Sequence, residues 1–423
     1  MKEKKLPLEV LSSRQLLELQ ACTRCGECLN WCPVYAKDSR EEITPRAKLL
    51  RLKSAVKEEY SVFTKLFSKG KTKFPIDQQL MQIITQCSVC GQCHYVCPVR
   101  IDTVELWEAV REMLVAGGVH LPKGQWEMAK AIKESDNPWN HPNDLRYAWM
   151  NKALTENLIE KRPKNILKEE ASVLYFVGCT AAYDEKINAT AQQTINLLQA
   201  AEVDFGVLGE NEPCCRGKLR RVGDPAWREY ALENIEMLNS LNIDTVVISC
   251  PGCYKTIKQD YTKLKQLNFK IYHLTEYVQQ LYDQGKIKFT QPMDLSVTYH
   301  DPCHLGRHNR IYDAPRDVIK ALPGIQLIEM ERIRQNSRCC GVGGGLKMAF
   351  PELQTEMSVE RIHDAEKTGA EAVVTPCPSC YSGLKKGIDA SDSTIKLYHF
   401  TELVTAALDV RPERDAGVIG GVG

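Results

Sequence analysis

Ten of the eighteen cysteines follow one pattern written twice: Cys179, Cys214–Cys215 and Cys250-Pro-Gly-Cys253, then Cys303, Cys339–Cys340 and Cys377-Pro-Ser-Cys380. The second set lies 124, 125 and 127 residues after the first, an internal duplication that kept its sulfurs in register. Five thiols per copy exceed the four that a tetrahedral zinc or an ordinary cubane cluster uses. The expected tenant is therefore larger or less regular than a four-thiolate site. Proline directly follows the first cysteine of each CxxC, at Pro251 and Pro378. Proline is favoured at the first helical position, so both thiol pairs are expected at helix N-termini, where free N–H groups stabilise thiolate.

The other eight cysteines have the spacing C-x2-C-x2-C-x3-C-P, at Cys22, Cys25, Cys28, Cys32 and again at Cys87, Cys90, Cys93, Cys97. In this two-cluster ferredoxin signature the fourth cysteine of each run ligates the other cluster. One cubane [4Fe–4S] cluster then takes Cys22, Cys25, Cys28 and Cys97, and its neighbour takes Cys87, Cys90, Cys93 and Cys32. Every cysteine is thereby used.

Residues beside the sulfurs carry further expectations. Gly341-Val-Gly343-Gly-Gly345 follows the second pair; glycine lets backbone amides come close to a cluster or ligand, the alternative being a flexible loop. Its spacing is wrong for a nucleotide fingerprint. Arg216, Lys218, Arg220 and Arg221 follow the first pair, and Arg307, His308 and Arg310 follow Cys303. They bind an anionic substrate, offset cluster charge or merely face solvent. His300 and His304 bracket Cys303 and could deliver protons near neutral pH, or be structural. His94 is expected only to pack.

The elements that position these residues are legible from periodicity. Thr44 caps and Pro45 opens a helix, and 102–115 is amphipathic, giving a mostly helical, ferredoxin-like domain over 1–133. The turn-rich stretch 134–170 reads as a connection. Each five-cysteine copy (171–290 and 291–408) alternates short apolar runs with helical periods, which predicts buried parallel sheets. The strands fall at 172–178, 203–209, 244–249 and 269–273, then 295–300, 324–329, 371–375 and 394–399. The fold class is thus α+β multidomain, with duplicated Rossmann-like α/β domains after the helical one. Sulfurs are expected at the carboxyl ends of the strands. Residues 409–423 read as a flexible tail. With 55 basic and 54 acidic residues, charge gives no support to nucleic-acid binding. The absence of a signal-peptide pattern or a spanning apolar run, with thiolate ligands to protect, predicts a reducing cytoplasm.

Ala21-Cys-Thr-Arg-Cys-Gly-Glu-Cys, Phe176-Val-Gly-Cys-Thr, Tyr299-His-Asp-Pro-Cys-His-Leu-Gly-Arg-His and Cys339-Cys-Gly-Val-Gly-Gly-Gly resemble the catalytic subunit of heterodisulfide reductase in its D-type form, with its relatives in sulfate reducers. The cysteine gaps, 34 and 34 in the first copy and 35 and 36 in the second, match that family's CCG domain. The resemblance implies one or two non-cubane [4Fe–4S] clusters beside the two cubanes, with a disulfide or trisulfide cleaved between the motifs. Coenzyme M–coenzyme B heterodisulfide or a small sulfur-carrier protein are candidate substrates. It also implies a membrane cytochrome b partner, possible further iron–sulfur subunits and a peripheral place on the inner membrane face. No flavin is expected on this chain. The first copy has Arg216 where the motif has glycine, so Cys179, Cys214, Cys215, Cys250 and Cys253 are assigned to cluster binding. The second copy keeps Gly341, and Cys303, Cys339, Cys340, Cys377, Cys380 and His304 are assigned to catalysis. The alternative is an electron-transfer subunit serving a flavin dehydrogenase, as in glycolate oxidase or glycerol-3-phosphate dehydrogenase. A zinc scaffold leaves Cys179, Cys303 and the adjacent pairs unexplained.

Overall fold

The computed structural model describes residues 7–60 and 77–408; the tail read at 409–423 lies outside them. The helical part begins as its caps dictate. Thr44 Oγ1 accepts from Ala47 N at 3.1 Å at the start of helix Pro45–Tyr60, and Asp102 caps helix Thr103–Ala116. Leu19, Leu49, Leu52, Leu80, Ile84 and Leu106 pack with Trp107, Val110 and Leu114 into this part's own core.

The next strands are β1 (Lys164–Asn165), β2 (Val173–Phe176), β3 (Phe205–Val207), β4 (Thr245–Ile248) and β5 (Lys270–His273), paired in the order β1-β3-β2-β4-β5, all parallel. The second sheet holds β6 (Leu295–Tyr299), β7 (Ile325–Leu327), β8 (Ala372–Thr375) and β9 (Lys396–His399) in the order β7-β6-β8-β9. All eight expected strands are present, within the expected bounds. Without β1, the two sheets have one topology. Strand order reverses between β2 and β4, and between β6 and β8. At such switch points the connecting loops part and leave a crevice.

The segment 134–170, which reads as a connection, carries more structure than its turns suggest. It supplies helix Ala148–Thr155 and edge strand β1, and Trp149, Met150, Ala153 and Ile159 enter the core of the α/β region. That core is shared by the copies: Val173, Tyr175 and Val247 of the first sheet join the same apolar cluster as Val297, Tyr299 and Val374 of the second. The repeated Tyr-His-x-Thr-Glu sequence is a capping box in both copies. The His273 and His399 rings each cap a helix N-terminus, while Glu276 and Glu402 accept from the same histidines' backbone N–H.

Buried charge docks the helical domain onto the first copy. Arg220 pairs with Glu105 at 2.6 Å, Glu108 at 2.7 Å and Asp260 at 2.9 Å, and Lys255 pairs with Asp260 at 2.7 Å. Burial opposes charge on Glu108, but Lys255 and Arg220 hold it far below the usual carboxylate range.

Arg111, fully buried, ties all three parts together. Its guanidinium donates to Ile84 O at 3.0 Å and Cys87 O at 2.7 Å in the helical domain, to Arg221 O at 2.5 Å in the first copy, and to Gly344 O at 2.8 Å in the second. Replacing Arg111 with Met strands four buried carbonyls, at about 1–3 kcal/mol for each that finds no new partner. Arg111→Met is therefore expected to lower the unfolding midpoint by several degrees and to expose the loops around Cys87 and Gly344 to protease. Thermal unfolding and limited proteolysis check this; an unchanged midpoint would mean the carbonyls repartner freely.

Candidate iron–sulfur centres

Cys179 and Cys250 follow β2 and β4, and Cys303 and Cys377 follow β6 and β8, so each motif sits at its sheet's switch point. Cys250 and Cys377 are the N-caps of helices whose first residues are Pro251 and Pro378. Cys377 Sγ accepts from Cys380 N at 3.3 Å, and Cys339 Sγ accepts from Gly341 N at 3.4 Å.

Within each copy the five sulfurs touch in one sequence. Cys179 meets Cys214, Cys214 meets Cys215, Cys215 meets Cys253, and Cys253 meets Cys250. In the second copy the order is Cys303, Cys339, Cys340, Cys380 and Cys377, with the Cys340 and Cys380 sulfurs 3.3 Å apart. Cys215 and Cys250 hold the Cys253 thiol well above its ordinary pKa, helped by burial; Cys340 and Cys377 do the same to Cys380. The same contacts hold the Cys215 and Cys340 thiols well below their ordinary value, so in each chain of sulfurs one ionises at its neighbours' expense, and iron would supply the positive charge that lets all of them ionise together. The donor set fits an iron–sulfur group.

The ferredoxin-type cysteines line two adjoining cavities. One is bounded by Cys22, Cys25, Cys28 and Cys97, touching Cys93; the other by Cys32, Cys87, Cys90 and Cys93. Burial and then Cys22, Cys32 and Cys25 push the Cys28 thiol up to about 12, the same signature of crowded sulfur. Both loops wrap their sulfurs with left-handed backbone: Arg24 (φ 62°) and Gly26 (φ 85°) in one, Val89 (φ 52°) and Gly91 (φ 78°) in the other. A β-branched residue at such a φ is strained, and here it lets Val89 N donate to Cys87 Sγ at 3.3 Å. Cys25 is exposed and Cys90 is buried, so one cavity opens outward and the other faces inward.

The inner cavity abuts the second motif. Cys90 touches Cys339, and both share an apolar cluster with Cys303. Arg307 bridges them: half-buried, it donates to Cys90 O at 2.8 Å and Ser337 O at 2.5 Å, and faces Cys90, Cys303 and Cys339. The glycine run approaches the helical domain closely. A Cβ on Gly343 would lie 2.5 Å from Ser88 O, and one on Gly344 2.6 Å from Cys87 O. What these glycines admit is the Cys87–Cys90 loop of the helical domain.

His304 Nε2 accepts from Arg221 Nε at 3.2 Å, so its proton resides on Nδ1, 3.7 Å from Cys303 Sγ. Burial and then Arg221 hold this imidazole well below its ordinary pKa, so it is a neutral, fixed donor. Arg221 belongs to the first copy, and the contact joins the two motifs' surroundings. His94 Nδ1 lies 2.8 Å from Ile101 O, a structural contact.

Arg216 occupies the left-handed conformation (φ 58°) that Gly341 has in the second copy (φ 80°). This is the physical reason a glycine suits the motif. The Arg216 side chain pairs with Asp136 at 2.5 Å, donates to Ile132 O at 2.7 Å and lies over Tyr230. Asp136 in turn accepts from Cys214 N at 3.1 Å. Arg216 thus braces the cysteine pair, with its charge spent on Asp136.

Three site residues carry no local sequence signal. Arg146 donates to Cys179 Sγ at 3.5 Å and pairs with buried Glu212 at 3.2 Å; Glu212 accepts from Val177 N at 2.7 Å and Gly178 N at 2.8 Å. Asp136 is the third. Arg146 and Asp136 both come from the segment that reads as a connection.

Comparison with known proteins agrees with this geometry. A cysteine-rich domain model matches residues 173–258 and 297–385, and a 4Fe-4S dicluster domain model matches 18–101. The chain is 36% identical over 405 residues to the D-type subunit of dihydromethanophenazine:CoB–CoM heterodisulfide reductase from Methanosarcina barkeri, covering 94% of this chain and 96% of that one. The Methanosarcina mazei counterpart is 37% identical over 408 residues, covering 94% and 96%. EtfAB:quinone oxidoreductase of Syntrophomonas wolfei is 28% identical, covering 95% of this chain and 60% of that one. A crystal structure of a hypothetical protein from Helicobacter pylori shares the fold, with a TM-score of 0.51 and 9% identity over 96% of this chain and 74% of that one. Duplicated five-sulfur motifs at two switch points, fused to a dicluster domain and matched over nearly their whole length, place this chain in the family of D-type heterodisulfide reductase subunits.

Proposed function

We propose that this chain is the disulfide-cleaving subunit of an iron–sulfur oxidoreductase. The carrying observation is the contact of Cys90 with Cys339, which sets a ferredoxin-type site directly against a five-sulfur site. Two cubane and two non-cubane [4Fe–4S] clusters are the proposed complement. When bound, they supply one-electron transfer and iron that can hold substrate sulfur. The reaction balances as one disulfide plus two electrons and two protons giving two thiols.

The chain's own residues shape the substrate side. Lys218 faces Cys179 and Cys250 of the first motif, and Lys347 faces Cys340 of the second. Burial lowers the Lys347 pKa, and Lys218 and Lys386 lower it further against the opposing pull of Asp184 and Cys340, so positive charge near the motifs is only partly offset. An anionic group on the substrate relieves that repulsion, so acidic thiol cofactors are the favoured substrates.

No helix among the described residues is long and apolar enough to cross a membrane. Electrons are proposed to come from a membrane cytochrome b partner, bound where Cys25 is exposed. A second reading, an electron-transfer role without disulfide chemistry, draws on the likeness to EtfAB:quinone oxidoreductase. Anaerobically purified protein separates the two. With reduced viologen and an acidic heterodisulfide, about sixteen irons per chain and two thiols released per disulfide are expected. Full iron content with no thiol release would leave the second reading standing.

A further inference from the structure

We propose that His300 donates a hydrogen bond from Nε2–H to the sulfur of Cys340, and that this donor raises the reduction potential of the centre in the second motif. The proposal rests on the reading above that this motif holds a cluster. His300 follows β6 directly, where its N–H extends the ladder to Val374 O at 2.9 Å, and its side chain is buried. One ring nitrogen and the sulfurs of Cys340 and Cys380 all lie within 4.8 Å of one another. Such a trio has two chemical meanings: a nitrogen ligand to iron, or an N–H aimed at thiolate.

Arg361 decides between them. Its Nε lies 3.1 Å from His300 Nδ1, and Arg361 is itself fully buried and fixed by Arg332 O at 3.0 Å and Asp364 at 3.3 Å. A guanidinium has only donors, so Nδ1 accepts and the ring's proton resides on Nε2. Nε2 itself makes no hydrogen bond in this structure, and the sulfurs of Cys340 and Cys380 beside the ring are the acceptors left for it. A protonated nitrogen has no lone pair for iron.

The duplication supplies an internal comparison. Tyr175-Phe176-Val-Gly-Cys179 and Tyr299-His300-Asp-Pro-Cys303 occupy the same place in the two sheets, so Phe176 stands where His300 stands. The first motif receives its donor elsewhere, from Arg146 on Cys179. The two centres are therefore inequivalent by construction. A hydrogen bond to a ligand sulfur withdraws electron density and favours the reduced state. Placed on the motif that touches Cys90, it holds arriving electrons where they enter.

The test compares the holoprotein with His300→Phe, which copies the first motif, and His300→Gln, which keeps an N–H donor near the Nε2 position. At a fixed ambient potential, His300→Phe should shift one centre about tenfold toward its oxidised form, about 59 mV for a one-electron couple, with iron content unchanged. His300→Gln should retain most of the wild-type potential. In the wild type, electron–nuclear double resonance on protein with 15N-labelled histidine should find a weakly coupled proton that exchanges in D2O and is lost in His300→Phe. Loss of about four irons in His300→Phe, a strong nitrogen coupling in the wild type, or an unchanged potential would each overturn the proposal. If His300→Phe does not fold, the wild-type spectrum decides alone. Wild-type protein with only about eight irons would instead remove the functional reading itself, before any variant is made.

Discussion

Cys340→Ser is expected to abolish disulfide cleavage, with turnover falling by more than the roughly 10–100-fold typical of losing an outer-shell partner. Cys340 is the middle link of its motif: its sulfur is 3.3 Å from that of Cys380, and it touches Cys339 on the other side. Removing it leaves Cys303–Cys339 and Cys380–Cys377 as separate pairs. Serine oxygen is a harder donor than thiolate and serves iron–sulfur chemistry poorly. The backbone should not notice the change. Cys340 O still accepts from Ser358 Oγ at 2.8 Å and Gln354 Nε2 at 3.3 Å, and serine is nearly isosteric. The unfolding midpoint should therefore hold, and the cubane signals in electron paramagnetic resonance should persist. Oxidising the intact protein with its thiol product should give a substrate-perturbed paramagnetic signal that the variant lacks. Turnover within tenfold of wild type would refute a catalytic second motif.

What was legible in the sequence was local or periodic. Eight of the nine strands, β2 to β9, stand where short apolar-rich runs place them, because parallel strands covered by helices need such runs. Proline after Cys250 and Cys377 announced two helix starts, and Thr44-Pro45 a third, because capping is decided within four residues. The missing information was non-local. Arg146 reads as one residue of a turn-rich stretch until the fold carries it to Cys179, 33 positions on. The glycine run after Cys340 announces a close approach to a cluster or ligand, whereas the fold brings the backbone of Ser88 and Cys87, some 250 positions earlier, against Gly343 and Gly344. The basic residues after the first cysteine pair looked alike, yet each has its own partner: Asp136 for Arg216, Glu108 for Arg220 and His304 for Arg221. Composition cannot assign those pairings, since burial makes one carboxylate rather than another the required counter-charge.

Cys25→Ala is expected to stop turnover with the physiological donor while leaving turnover with a small diffusible reductant largely intact. The asymmetry follows from where the cavities lie. Cys25 is exposed and bounds the outer cavity with Cys22, Cys28 and Cys97, whereas the inner cavity's Cys90 is buried against Cys339. A docked protein donor reaches the second motif only through the outer and then the inner site. A small reductant is not bound to that order, because it needs no docking surface at the outer site. Removing one of four thiolates leaves a three-cysteine site that holds its iron poorly, so about four irons should be lost. The loss should stay local. Arg111 fixes the inner loop through Cys87 O and Ile84 O, and the Arg220 network holds helix Thr103–Ala116 to the first copy, neither of which involves Cys25. Donor-driven turnover should thus fall at least a hundredfold, about 2.7 kcal/mol or more in effective barrier. Viologen-driven turnover should remain within severalfold of wild type. Equal loss with both reductants would mean the outer site is structural for the whole chain; undiminished donor-driven turnover would place electron entry elsewhere, with Cys90 and the inner cavity as the next surface to test.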